Sequence, residues 1–178
     1  MTTKLTPRKR TKAGEPELVE MADRKVAVVT SKGDPGEAGA TVFPALYGAV
    51  YTLKFARKRV GLSDFKAGPL IAHWPDAHLV SREQWTGIWA LAIPDDVTEV
   101  PAKVPEPPVR VETWHYGTVA QVLHVGPYSE EGPTVAKLHA FIEEQGYEIA
   151  GDHEEEYLTT PAAKVIKTII RYPVRKKA

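Results

Sequence analysis

The stretch GPYSEEGPTVAKLHAFIEEQGYEI at residues 126–149, followed by HEEEYLTT at 153–160 and VIKTIIRYPV at 165–174, decides the fold. Its first piece predicts a helix over residues 129–145. Val135, Leu138, Phe141 and Ile142 recur at helical spacing, and Gly146 stands where a helix commonly ends in a left-handed residue. The two later pieces read as strands, over 153–159 and 165–172. Upstream, residues 109–114 and 118–125 also read as strands, with Gly117 as the bend between them.

The first half of the chain repeats this order. Residues 25–30 (KVAVVT) form an apolar run of strand length, and Gly33-Asp34-Pro35-Gly36 is turn chemistry. A helix is expected over 37–58, with Val42, Phe43, Leu46, Val50 and Leu53 as its core stripe and Gly61 as its stop. Strands follow over 69–74 and 84–93. Each half ends in an apolar strand stopped by proline, Ala92-Ile93-Pro94 in one and Arg171-Tyr172-Pro173 in the other. The expected class is α+β: two tandem β-α-β-β units giving one antiparallel sheet, two main helices and a central ligand groove. The expected divisions are a flexible basic arm at 1–22, a first unit at 23–100, a Pro-rich connector at 101–108, a second unit at 109–174 and a basic tail at 175–178.

Composition narrows the function classes. At 43% hydrophobic the chain can bury a core, and Lys+Arg and Asp+Glu balance at 23 each. A neutral balance argues against nucleic acid as the main partner. The absence of cysteine removes disulfides, thiolate nucleophiles and sulfur-ligated metals. The six histidines show no metal spacing, so neither metal nor cofactor is expected. No apolar run suits a membrane span, and the basic N-terminus has no apolar segment of signal type behind it. A cytoplasmic protein is the default, with monomer and homodimer both open.

Glu155 and Tyr157 are the candidate site. Two residues apart on a strand, they share a face, while Glu154 and Glu156 point the other way. Trp85, Gly87 and Trp89 share a face of their strand, which predicts a flat slot between two indoles. Tyr47 and Tyr51 lie one turn apart on the first helix, and Trp74 and Trp114 end strands. Aromatic walls beside a carboxylate suit a flat, hydrophobic or cationic organic ligand. The ligand-binding candidates are therefore Tyr47, Tyr51, Trp74, Trp85, Trp89, Trp114, Glu155 and Tyr157. Glu155 is also the candidate general base, should the site turn its ligand over.

At these residues the chain resembles the GyrI-like small-molecule-binding family, which is related to the effector-binding domains of AraC-type and MerR-type multidrug regulators such as BmrR. The resemblance rests on Gly126-Pro127-Tyr128, Gly146-Tyr147, Glu155-Glu156-Tyr157-Leu158 and Lys167-Thr168-Ile169-Ile170-Arg171-Tyr172-Pro173-Val174. In the first half it rests on Lys32-Gly33-Asp34-Pro35 and on Leu46, Tyr47, Tyr51 and Lys54. It implies two SHS2-like units with the ligand in the groove between them and Glu155 in the pocket. Some stand-alone members hydrolyse the strained cyclopropane of DNA-alkylating polycyclic antibiotics, which implies a possible hydrolase. A family namesake inhibits gyrase, which implies a protein-interaction module as a third reading. Where the hydrolytic members carry P-L-E-G-L-W-W, this chain reads Pro69-Leu70-Ile71-Ala72-His73-Trp74, and their tight W-x-W is rearranged to Trp85 and Trp89.

Overall fold

The computed structural model describes residues 11–62 and 64–178. Lys4, Arg8, Lys9 and Arg10 of the basic arm lie outside the described residues. In chain order the elements are β1 (Glu17–Met21), β2 (Arg24–Lys32), α1 (Pro35–Arg59), β3 (Leu70–His73), β4 (Thr86–Ala92), β5 (Arg110–Trp114), β6 (Gly117–Val125), α2 (Glu131–Glu144), β7 (Tyr147–Ile149), β8 (Glu154–Tyr157) and β9 (Lys167–Lys176). The strands form one antiparallel sheet in the order β1-β6-β9-β8-β3-β4-β2-β5, with β7 pairing on β9.

Local chemistry accounts for the helix ends. Asp34 caps α1, its carboxylate accepting from the Gly36 amide at 2.8 Å, and Pro35 occupies the first turn, where no amide donor is needed. Gly146, at φ +77°, follows the end of α2. Val42, Leu46 and Val50 of α1 bury against Ala27, Val29, Trp89 and Leu91. Leu138 and Ile142 of α2 bury against Ala120, Val122, Ile170 and Tyr172. Both helices lie on one face of the sheet, one over each unit. β8 and β3 run between these two cores, with the small Ala72 directly opposite Glu155. A groove between the helices follows from that spacing.

Two strand pairings depart from the sequence reading. Residues 17–21, expected in a flexible arm, form β1 and pair with β6 along its first half. β5, which precedes β6 and belongs by sequence to the second unit, hydrogen-bonds instead to β2 of the first. Both hairpin-like connections, Met21 to Arg24 and Trp114 to Gly117, therefore link opposite ends of the sheet. The sheet must roll to allow this. His73 of β3 stacks on Trp114 of β5 with ring centroids 4.1 Å apart, although β4 and β2 lie between the strands. In a flat sheet three interstrand steps of about 4.8 Å would hold them about 14 Å apart.

The rolled face opposite the helices is a buried polar interior. Arg171 is fully buried, and its Nη1 donates to Glu154 at 2.5 Å and to Glu156 at 2.7 Å. Gln121 accepts from the same guanidinium, His73 meets Glu154 at 2.7 Å, and the Tyr116 hydroxyl donates to Glu154 at 2.9 Å. β8 thus carries acids on both faces: Glu154 and Glu156 point to this interior, and Glu155 points to the groove.

Candidate functional site

The groove divides into two cavities that share Trp74 as a wall. One, of about 580 Å³, is lined by Trp74, Trp85, Glu131, His139, Glu155 and Tyr172 among others. The other, of about 660 Å³, is lined by Phe43, Tyr47, Trp74, Trp89, Tyr128 and Tyr157 among others. The first carries the acids, and the second has six aromatic rings in its wall and no acid.

Glu155 is held by its neighbours in one orientation. His153, two residues earlier and so on the same face, lies 2.8 Å from Oε1 through Nε2. The Tyr157 hydroxyl donates to Oε2 at 2.6 Å. His153 Nδ1 lies 2.6 Å from the Tyr172 hydroxyl. His153 thus links the Glu155 carboxylate to the Tyr172 hydroxyl. Burial pushes the Glu155 carboxyl up, but the hydrogen bonds from His153 and Tyr157 outweigh it and hold Glu155 below the usual carboxylate range. Burial and the Glu155 charge push the Tyr157 hydroxyl well above its ordinary value, and push Tyr172 up to about 12.

A second carboxyl completes the site. Glu131, in the first turn of α2, is 9% exposed and lines the same cavity as Glu155. Burial and the charge of Glu155 raise its carboxyl far above the usual range. Burial and the neighbouring charge thus favour the protonated form of Glu131 beside an ionised Glu155.

The tryptophans pack on one another. Trp74 meets Trp89 edge-on at 5.0 Å and Trp85 at 5.5 Å, and Phe43 meets Trp89 at 5.3 Å. Trp89 Nε1 donates to the Ser31 hydroxyl at 2.8 Å. This arrangement overturns the expected slot between Trp85 and Trp89. The space over Gly87 is filled: a Cβ there would lie 2.6 Å from Trp89 Nε1 and 3.1 Å from Trp74 Cζ3. Gly87 is therefore needed for close ring packing, and the open volume lies on either side of Trp74. Trp85 itself precedes β4, at the end of a short 3-10 turn over Arg82–Gln84.

Of the residues singled out from sequence, Trp74, Trp85 and Glu155 line the first cavity, and Tyr47, Trp74, Trp89 and Tyr157 the second. Two do not join them. Trp114 lies on the rolled interior face against His73, because β5 pairs with β2 and the roll turns that side chain inward. Tyr51 stacks on Tyr47 but is 42% exposed, one turn beyond the groove. Ile71 is buried on the interior face. Sequence reasoning missed Glu131, His153, Tyr172, Tyr128 and Phe43 as groove residues. Two signals were available. His153 shares the face of Glu155 by strand alternation. Glu131 heads the buried stripe Val135, Leu138, Ile142 at helical spacing, an acid on an apolar face.

A family model described as the GyrI-like small molecule binding domain matches residues 14–175. The chain belongs to this family. Among solved GyrI-like relatives, an uncharacterized conserved protein from Listeria innocua is 31% identical, with TM-score 0.82 over 92% of this chain and 93% of that chain. A protein described as a hydrolase from Listeria innocua is 30% identical, with TM-score 0.80 over the same shares. The C-terminal domain of EcmrR shares the GyrI-like fold at 15% identity, with TM-score 0.62 over 92% of this chain and 98% of that domain. No curated protein matches the chain. As a GyrI-like domain it is built to take a small-molecule ligand, and among the described residues no helix is long and apolar enough to cross a membrane.

Proposed function

We propose that the groove binds flat, hydrophobic organic molecules and favours cationic ones, acting in sequestration or sensing. The observation that carries this reading is the seating of Glu155: a carboxylate with its side chain only 12% exposed, held ionised by His153 and Tyr157, on the wall of a cavity faced by Trp74 and Trp85. Indole faces stack on planar rings and attract cations through the ring quadrupole. The Glu155–Glu131 pair supplies one net negative charge. The cavities beside Trp85 and Trp89 count against the protein-interaction reading, which needs those rings packed with no open volume next to them.

The test is tryptophan-emission quenching by planar cations and by neutral analogues of the same shape. Glu155→Gln should weaken the cations by about tenfold and leave the neutral compounds nearly unchanged. Equal loss for both sets would sink the charge role.

A second reading uses the same residues. His153 and Tyr172 orient Glu155 as a general base, and a 30%-identical relative is described as a hydrolase. Glu155 would take a proton from water as its oxygen bonds to a carbon of a strained ring. The ring bond to that carbon breaks, its electron pair enters a conjugated acceptor on the ligand, and a proton from the acidic pair or solvent neutralises it. Product formation that disappears in Glu155→Gln, while ligand still binds, separates this reading from plain binding.

A further inference from the structure

We propose that the second cavity is a separate subsite for an uncharged flat ring system, so that the groove selects two-part molecules. A planar cationic end sits in the first cavity, and a neutral aromatic end joined to it sits in the second. This assignment rests on the small-molecule reading above and names the ligand architecture that the two cavities select together.

The two cavities differ in charge. The first is walled by Glu155 and Glu131. Among the described residues that line the second, none is acidic, and Arg82 is the one charged side chain. Arg82 is already engaged: its Nε donates to Asp34 at 2.6 Å, and its guanidinium lies 5.5 Å from the centroid of the Trp85 ring. A cation in the second cavity would lose hydration, find no counter-charge on the wall and sit near a guanidinium. An uncharged ring pays little for leaving water and gains contact with Phe43, Tyr47, Trp89 and Tyr128.

Strand β8 sets the boundary. Glu155 and Tyr157 share one face, about 7 Å apart along the strand. Glu155 lines the first cavity and Tyr157 the second, and Trp74 is common to both walls. The Tyr157 hydroxyl donates to Glu155 Oε2 at 2.6 Å, so a side chain of the second cavity's own wall takes up that oxygen. The volumes, about 580 and 660 Å³, each fall within the roughly 300–1,000 Å³ of complete small-molecule sites. Each cavity therefore has room for a ring system of its own.

Two soluble bicyclic probes and their conjugate test this by isothermal calorimetry. 1-Methylquinolinium is a planar cation, and coumarin is planar and uncharged. Methylquinolinium should keep its affinity in the presence of saturating coumarin, because the two occupy different cavities. A quinolinium joined to a coumarin by a polymethylene chain that spans about 7 Å should bind at least about tenfold more tightly than either half. Tyr47→Leu should weaken coumarin about tenfold more than methylquinolinium, and Glu155→Gln should move that ratio the opposite way. Tyr128→Ala, on the other wall of the second cavity, should act as Tyr47→Leu does and guards against a variant that fails to fold. Displacement of methylquinolinium by coumarin overturns the proposal, as does a conjugate no tighter than its halves. Equal losses for both probes in Tyr47→Leu and Tyr128→Ala also overturn it. Those outcomes, or a failure of coumarin alone to bind, leave the flat-cation reading standing. If neither half binds, that reading falls and the proposal falls with it.

Discussion

Arg171→Met should destabilise the protein by about 3–5 kcal/mol at neutral pH, and by much less in acid. Arg171 has no exposed surface and holds two carboxylates, Glu154 at 2.5 Å and Glu156 at 2.7 Å. Methionine fills a similar volume but leaves those carboxylates buried without their central cation. Arg24 still reaches Glu156 at 3.4 Å, and His73 and Tyr116 still meet Glu154, so the loss is partial. Burial raises the Glu154 carboxyl, but the hydrogen bond to His73 and the charge of Arg171 outweigh it and bring Glu154 from the ordinary 4.5 to about 2. That difference corresponds to about 3 kcal/mol of stability at neutral pH. The sign follows from the direction. A depressed folded value gives stability that is present above pH 4.5 and is lost as pH falls toward 2. Without Arg171 the burial of Glu154 is only partly compensated, so the gap between the two proteins should be widest above about pH 5 and narrow in acid. Urea denaturation followed by tryptophan emission, from neutral pH down to about pH 3, reads both. Adding Glu154→Gln to Arg171→Met should recover about 2 kcal/mol, because an amide no longer needs the cation. A loss below about 1 kcal/mol at neutral pH, or a loss that stays constant on acidification, would refute the reasoning.

Two further expectations concern the aromatic residues. Gly87→Ala places a methyl group 2.6 Å from Trp89 Nε1 and 2.8 Å from Ser31 Oγ, so Trp74 and Trp89 must move. The expected cost is about 1–3 kcal/mol with a shifted tryptophan emission maximum, and an unchanged melting temperature would show that the ring packing is looser than described. Trp114→Phe weakens the stack on His73 in the sheet interior, at a cost of about 1 kcal/mol. Planar-cation affinity should be unchanged in that variant, and a clear change would return Trp114 to the groove.

The two-unit plan was legible because it is written in local periods. The α1 stripe of Val42, Leu46 and Val50 and the α2 stripe of Leu138 and Ile142 are buried as the 3.6-residue spacing requires. Alternation along β8 separates Glu155 from Glu154 and Glu156 by sequence position alone. The same alternation carries His153 onto the Glu155 face, and the α2 stripe carries Glu131 into the core, so both were readable. Neither stands out in the sequence, because a histidine near acids and a glutamate in a first helical turn are ordinary surface features. What removes them from that class is burial, which no local pattern reports.

Sequence alone determined the elements, their order, the family and the face on which Glu155 lies, because each depends on residues within a few positions of one another. Tertiary structure decided which strands meet. β1 lies on β6 and β5 on β2, pairings set by free edges that come from distant parts of the chain. That closure rolls the sheet, turns Trp114 and Ile71 inward and buries Arg171 between two glutamates. It also leaves the approach of Glu131 to Glu155 to the packing of α2 against β6 and β7, across more than twenty residues of chain. A carboxyl acquires its charge state from the dielectric and the charges around it, and those exist only once the chain has closed over them.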